Sequence, residues 1–264
     1  MMNIRKTTLC AIAALVSICS WGWGRNGHDA ICYIAECNLN KKALKTVSDY
    51  LDGKSIVYYS TWPDEVRTTK EWGYTTKWHV AYYDENDKAL LDSRFEGEEG
   101  MAPDCLYQVG RIIDRLKDHK NMEKEEVANL IRFLVHWVGD FHCPVHIKYP
   151  DYKEHNFKVI YGGKEYKYHS VWDEIMIEDV HHWNYMEYEH QLGNLSRKEV
   201  KEIQKGSIVD WGEQAARDCH IIYEWAKAGD ELGKDFYLKA RPLADRQIQL
   251  AGYRLAKILN EIFG

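Results

Sequence analysis

The sequence predicts an all-α protein, folded as one domain. Apolar residues recur at helical spacing in segment after segment, as in Leu106, Val109, Ile112, Ile113 and Leu116. Only five prolines occur in 264 residues, and no repeat, low-complexity run or Pro/Gly-rich linker divides the chain. A single segment, 156–168, alternates Phe157, Val159 and Tyr161 before Gly162-Gly163, which predicts one hairpin.

In chain order, residues 27–39 read as a helix beginning just after Gly24–Gly27. Residues 40–52 read as a second, ended by Asp52-Gly53. The polar, acidic stretch 84–103 reads as a surface loop. Residues 104–119 form a helix, and 123–141 a central one with Val127, Leu130, Ile131, Leu134, Val135 and Val138 on its apolar side. Another helix is expected over 171–190, one or two more over 198–228, and a last one over 242–262.

The first 22 residues read as a secretory signal. Arg5 and Lys6 supply a positive start, Leu9 to Ile18 an apolar stretch too short to span a membrane, and Ser20 and Gly22 the small residues before a cut. The expected mature domain is 23–264, secreted or periplasmic, with a free α-amino group on Trp23. Without Arg5 and Lys6, 33 basic residues face 41 acidic ones, a net charge of −8. No broad basic face for polyanion binding is therefore expected. Five cysteines remain beyond the signal (Cys32, Cys37, Cys105, Cys143, Cys219). Export permits a disulfide bond, but no pair can be assigned, and the lack of CxxC spacing argues against thiolate zinc sites.

The chemistry concentrates in His136-Trp-Val-Gly-Asp140-Phe-His-Cys-Pro144-Val-His146. His136 and Asp140 are four apart, so a helix puts them on one side. Pro144 ends the helix and lets His146 return from the following segment. Further donors lie in Trp23-Gly24-Arg25-Asn26-Gly27-His28, in Trp62-Pro63-Asp64-Glu65-Val66-Arg67, in Trp78-His79, and in His169-Ser170-Val171-Trp172-Asp173. Each alone has a plain structural explanation: a hydrogen-bonded His/Asp pair, a solvated ion pair, a helix start. Their repetition beside Trp and other apolar residues is the signal, because burying so many ionisable groups is costly without a partner. A metal is that partner, and an N/O donor set without thiolate favours zinc or a similar divalent ion.

These pieces, in order, resemble the S1/P1 nuclease family of secreted zinc-dependent nucleases. The resemblance runs from Trp23 to the end and includes Leu250-Ala-Gly-Tyr-Arg254-Leu-Ala-Lys-Ile-Leu-Asn260. It implies an all-α bundle like that of phospholipase C around three zinc ions. Asp64, His79, His136 and Asp140 would hold one. The Trp23 amino nitrogen and carbonyl would hold a second with His28 and the bridging Asp140. His146, His169 and Asp173 would hold a third, more exposed ion. Asn156 matches an Asn of the family and is a candidate substrate contact. Where fungal members place an aromatic and an Asp after the His79 position, this chain has Val80, Ala81 and Tyr82, so their base pocket is not carried over.

The implied reaction is in-line hydrolysis of single-stranded DNA and RNA to 5′-phosphate products, with 3′-nucleotidase action a possible extension. Asp64 would orient the attacking water. Arg67 reads from spacing either as an ion-pair partner of Asp64 or Glu65 or as a group neutralising the transition state; the resemblance selects the latter. Tyr82, Tyr149, Tyr152 and Tyr161 are candidate stacking residues, with the structural reading the stronger for them. One alternative is a phospholipase C-like phosphodiesterase; its relatives have a longer gap after the N-terminal Trp and a Glu at the last ligand, unlike His28 and Asp173. The other is a binding protein with structural metals.

Overall fold

The computed structural model describes residues 23–91, 104–149, 157–178 and 181–264. The expected signal segment and Asn156 lie outside the described residues. The architecture is all-α, with five short strands among the described residues.

Helix α1 (Arg25–Cys37) is followed by α2 (Lys41–Tyr50), whose N-terminal amides are capped by the Asn40 side chain. Asp52 and Gly53 both take positive φ, so the stop after α2 falls where the sequence places it. A short α3 (Trp62–Val66) leads through a 3-10 segment (Gly73–His79) to strand β1 (Ala81–Tyr82). Asp104 caps α4 (Cys105–Leu116). Helix α5 (Lys124–Asp140) is buried on every side in its second half and forms the centre of the fold, as expected of 123–141. It packs against α2, α3 and α4.

After a turn at Pro144–His146, strand β2 (Ile147–Lys148) pairs in parallel with β1, Ala81 opposite Ile147. This pairing sets the segment after His79 beside the segment after His146. The hairpin is present as β3 (Lys158–Tyr161) and β4 (Lys164–Lys167), turned by Gly162 and Gly163 at positive φ. A third strand, β5 (Glu231–Leu232), adds in parallel to β3 and is too short to be read from sequence.

The helix expected over 171–190 is divided. Helix α6 (Tyr168–Ser170) runs through a π-helical turn (Val171–Ile175) into α7 (Met176–Glu178). A new helix, α8 (Tyr185–Leu192), then starts at Asn184, which forms a capping box with Glu187. The 198–228 region likewise splits into α9 (Arg197–Ile203) and α10 (Ile208–Cys219), separated by Gly206 at positive φ and the Ser207 cap.

The last helix, α11 (Lys234–Phe263), starts eight residues before the expected 242 and continues through Pro242. Burial of Phe236 and Ala240 anchors this extra N-terminal part. Helix α11 packs along α1, and the contact is close: a Cβ on Gly252 would lie 2.6 Å from Ile34 Cβ. Arg254, buried on α11, donates to Ile203 O and His142 Nε2 and also reaches Gln214. His142 in turn donates from Nδ1 to Val138 O. This staples the exit of α5 to the last helix and makes His142 a core residue, not a ligand.

Candidate metal centre

The donors singled out in the sequence converge around the C-terminal end of α5. His136 and Asp140, one turn apart, face the same way, with Nε2 3.3 Å from Oδ2. His79, at the end of its 3-10 segment, brings Nδ1 to 3.0 Å from Asp140 Oδ2 and 3.2 Å from His136 Nε2. Asp64, on α3, comes within 3.6 Å of His79 and 3.7 Å of His136. His28, on α1, lies 3.5 Å from the other Asp140 oxygen, its ring stacked 4.0 Å from that of His136. Only a glycine permits this approach, since a Cβ at position 139 would sit 2.8 Å from His28 Nδ1.

His146 continues the cluster. Its Nδ1 lies 3.4 Å from Asp140 Oδ1 and its Nε2 3.2 Å from His169 Nε2. His169, on α6, and Asp173, in the π-helical turn that follows, are 2.8 Å apart. The backbone of Gly24 donates to Asp173 O at 2.6 Å, which ties the Trp23-Gly24 pair to this end of the cluster. Within this third set His146 and Asp173 are buried, while the His169 side chain is 12% exposed. Nine of the sequence-designated residues thus gather in one place: Trp23, His28, Asp64, His79, His136, Asp140, His146, His169 and Asp173. Arg67 joins them, its Nε 3.3 Å from Asp64 Oδ1.

Two neighbours were not singled out. Cys143 Sγ lies 3.3 Å from Asp173 Oδ1 and forms, with His146 and Asp173, a group whose ligand atoms are within 4.8 Å of one another. The absence of CxxC spacing hid it, because the partners come from other segments. Lys148, on β2, is lowered to about 8 by burial, partly offset by Asp173. All five described cysteines are free thiols. Of the candidate stacking tyrosines, Tyr149 is buried and donates to Asp87, and Tyr161 is buried in the core, both as structural residues; Tyr152 lies outside the described residues.

The electrostatics suit a cation. Burial, with His136 beside it, holds His28 down at about 4. Burial also lowers His79, and burial with Lys148 lowers His169 to about 3. These are neutral imidazoles with lone pairs to give. For His136 burial works against charge, yet Asp140 and Asp64 outweigh it and lift the ring to about 9. Burial also works against the Asp140 charge, but His136 and His146 hold that carboxyl well below the usual range. The two carboxylates thus favour positive charge at this point of the cluster. His136 Nδ1 donates to Ser60 O at 2.7 Å, which fixes the ring and turns Nε2 into the cluster. His28 Nδ1 and Nε2, His79 Nε2, His146 Nδ1 and Asp140 Oδ1 are buried without a hydrogen-bond partner among the described residues. Orphaned buried donors and acceptors at this density are what a metal satisfies. Three triads bring their ligand atoms within 4.8 Å: His28/His136/Asp140, Asp64/His79/His136 and Cys143/His146/Asp173.

Comparison with known proteins agrees. The profile of the S1/P1 Nuclease family matches residues 23–264. Endonuclease 3 of Arabidopsis thaliana is 22% identical, over 91% of this chain and 89% of its own. Endonuclease 2 of the same plant is 25% identical, over 92% and 91%. Nuclease P1 of Penicillium citrinum is 24% identical, over 92% and 98%.

Proposed function

The chain belongs to the S1/P1 nuclease family and is a hydrolase of phosphodiester bonds, and from that premise we propose that it is a zinc-dependent endonuclease cleaving single-stranded DNA and RNA to 5′-phosphate products. The observation that carries this reading is the convergence of buried imidazoles and carboxylates from α1, α3, α5, the 3-10 segment before β1 and the π-helical turn. Asp64, His79, His136 and Asp140 would hold one zinc. Trp23, through its amino nitrogen and carbonyl, would hold a second with His28 and Asp140, and His146, His169 and Asp173 a third. Removal of residues 1–22 on export would free the Trp23 amino group. No helix of the described residues is long and apolar enough to cross a membrane. Bound zinc supplies Lewis acidity, polarising phosphoryl oxygens and acidifying water at neutral pH.

The chain's own residues do the rest. Asp64 orients the attacking water and holds Arg67 beside it. Arg67 balances the charge that builds on pentacoordinate phosphorus. The bond to the 3′ oxygen breaks as water adds, leaving a 5′-phosphate and a 3′-OH, and Asn156 is proposed as a substrate contact. An acidic chain with a cationic centre favours single strands, whose phosphates and unstacked bases enter a recess, over the broad backbone of a duplex. The test is Asp64→Asn. Hydrolysis of single-stranded DNA should fall at least about 100-fold with far-UV circular dichroism unchanged, and near-normal turnover would remove Asp64 from the mechanism.

A further inference from the structure

Lys148 follows His146 by two residues, on strand β2. Its backbone is fixed: it lies opposite Tyr82 in the parallel pair with β1, and its carbonyl accepts from Tyr83 N at 2.9 Å. The side chain is half-buried beside the third ligand set, near enough to Asp173 and His169 to act on both electrostatically. Yet its ammonium makes no hydrogen bond or ion pair among the described residues, with Asp173 or with any other.

A partly desolvated ammonium is costly unless an anion answers it. Asp173 is committed elsewhere: its oxygens face His169 at 2.8 Å and Cys143 Sγ at 3.3 Å. A cation held by His146, His169 and Asp173 would repel the ammonium further. The arrangement therefore suits an anion that touches both sides. A phosphoryl group does so, because its non-bridging oxygens diverge: one can accept from the ammonium while another faces the ligand set. Arg67, paired with Asp64, already supplies a cation at the other end of the cluster. The charge on Lys148 also discriminates. A terminal phosphomonoester carries close to two negative charges at neutral pH and an internal diester one, and attraction to a fixed cation grows with the charge of the ligand.

We propose that Lys148 is a phosphate-binding residue of this site: its ammonium holds a non-bridging oxygen of the substrate beside His146, His169 and Asp173, and it favours nucleotides ending in a 3′-phosphate over internal diesters. The inference rests on the nuclease reading for its substrate class. With a 3′-monoester, water adds to phosphorus, the bond to the 3′ oxygen breaks, and that oxygen takes up the proton the water gives up. Inorganic phosphate and a 3′-OH result.

Isothermal titration of the zinc-loaded protein with inorganic phosphate tests this, beside steady-state hydrolysis of thymidine 3′-monophosphate and of a thymidine dinucleotide. Lys148→Met keeps the apolar stem and removes the charge, so zinc content and urea stability should match wild type. Phosphate binding should weaken about 10- to 50-fold and KM for the monoester rise to match, against about 3- to 10-fold for the dinucleotide. Lys148→Arg, which keeps a cation, should recover most of the loss. Should the Met variant not fold, Lys148→Gln gives the same comparison. Lys167 also acts on His169 but is exposed, so Lys167→Met should change phosphate binding less than about 2-fold, its charge being screened by solvent. Equal phosphate affinity in wild type and Lys148→Met overturns the proposal, as does an equal loss in Lys167→Met. Losses of one size on monoester and dinucleotide overturn the preference for 3′-phosphates. A protein that binds phosphate and hydrolyses the monoester through Lys148, yet leaves nucleic acid intact, keeps the proposal and overturns the endonuclease reading.

Discussion

His79 Nδ1 lies 3.0 Å from Asp140 Oδ2, across 61 residues of sequence, with both side chains buried. Asp140 is the common neighbour of the cluster, since its other oxygen faces His28 and His146. Asp140→Asn removes the charge that neutralises a cation from both sides. Zinc content of the purified variant, by mass spectrometry, should fall by at least one ion per chain, and single-strand hydrolysis by about 1000-fold or more. Unchanged zinc content would show that Asp140 is not a shared ligand.

Gly139 tests the packing that lets α1 approach α5. A methyl group there would press into His28, whose Nδ1 would be 2.8 Å away. Gly139→Ala should cost about 1–3 kcal/mol in urea denaturation, the usual penalty of overpacking, and should lower zinc affinity as His28 shifts. A variant as stable as wild type and fully zinc-loaded would mean that the contact relaxes freely.

Cys143 tests the surroundings of the third ligand set. Its thiol donates to Asp173 Oδ1 and so steadies that carboxylate against His169. Cys143→Ala should weaken retention of zinc at His146, His169 and Asp173 about 10- to 100-fold, the usual effect of losing an outer hydrogen bond to a ligand. Competition with a chromogenic chelator measures this, and Cys143→Ser, which keeps a donor, should recover most of the loss. Equal retention in the Ala variant would leave the thiol without a role at the metal.

Asp104 predicts a pH dependence away from the metals. It caps α4 and accepts from Tyr82 N and Tyr107 N, but burial raises it from 3.8 to about 6. The folded state therefore holds the proton more tightly than the unfolded chain. The cost of its charge is absent below about pH 4, grows as pH rises, and is complete above about pH 6, where it reaches about 3 kcal/mol. Asp104→Asn keeps an accepting oxygen and removes the titration. The stability of the variant relative to wild type should rise between pH 4 and 6 in urea denaturation, and a flat difference would refute the assignment.

The sequence made the local features legible and hid the ones that depend on chain crossings. His136 and Asp140 could be paired because helical spacing fixes their relation, and α5 and the 158–167 hairpin carry unambiguous periodicity. Cys143 was set aside because its partners His146 and Asp173 are joined to it only by the fold. The parallel pairing of Ala81 with Ile147 spans two residues per strand, too few to leave a pattern. The early start of α11 is masked by Pro242, which removes a helical hydrogen bond yet is tolerated because Phe236 and Ala240 are buried on its far side. The break before α8 rests on one side-chain cap at Asn184, a local device that an apolar count over 171–190 does not register.

The most direct test of the central claim is hydrolysis of single-stranded DNA and RNA by the purified protein beginning at Trp23, with and without a chelator. The account predicts cleavage to 5′-phosphate ends, abolished by the chelator and restored by added zinc. Folded, zinc-loaded protein that leaves both nucleic acids intact would contradict it.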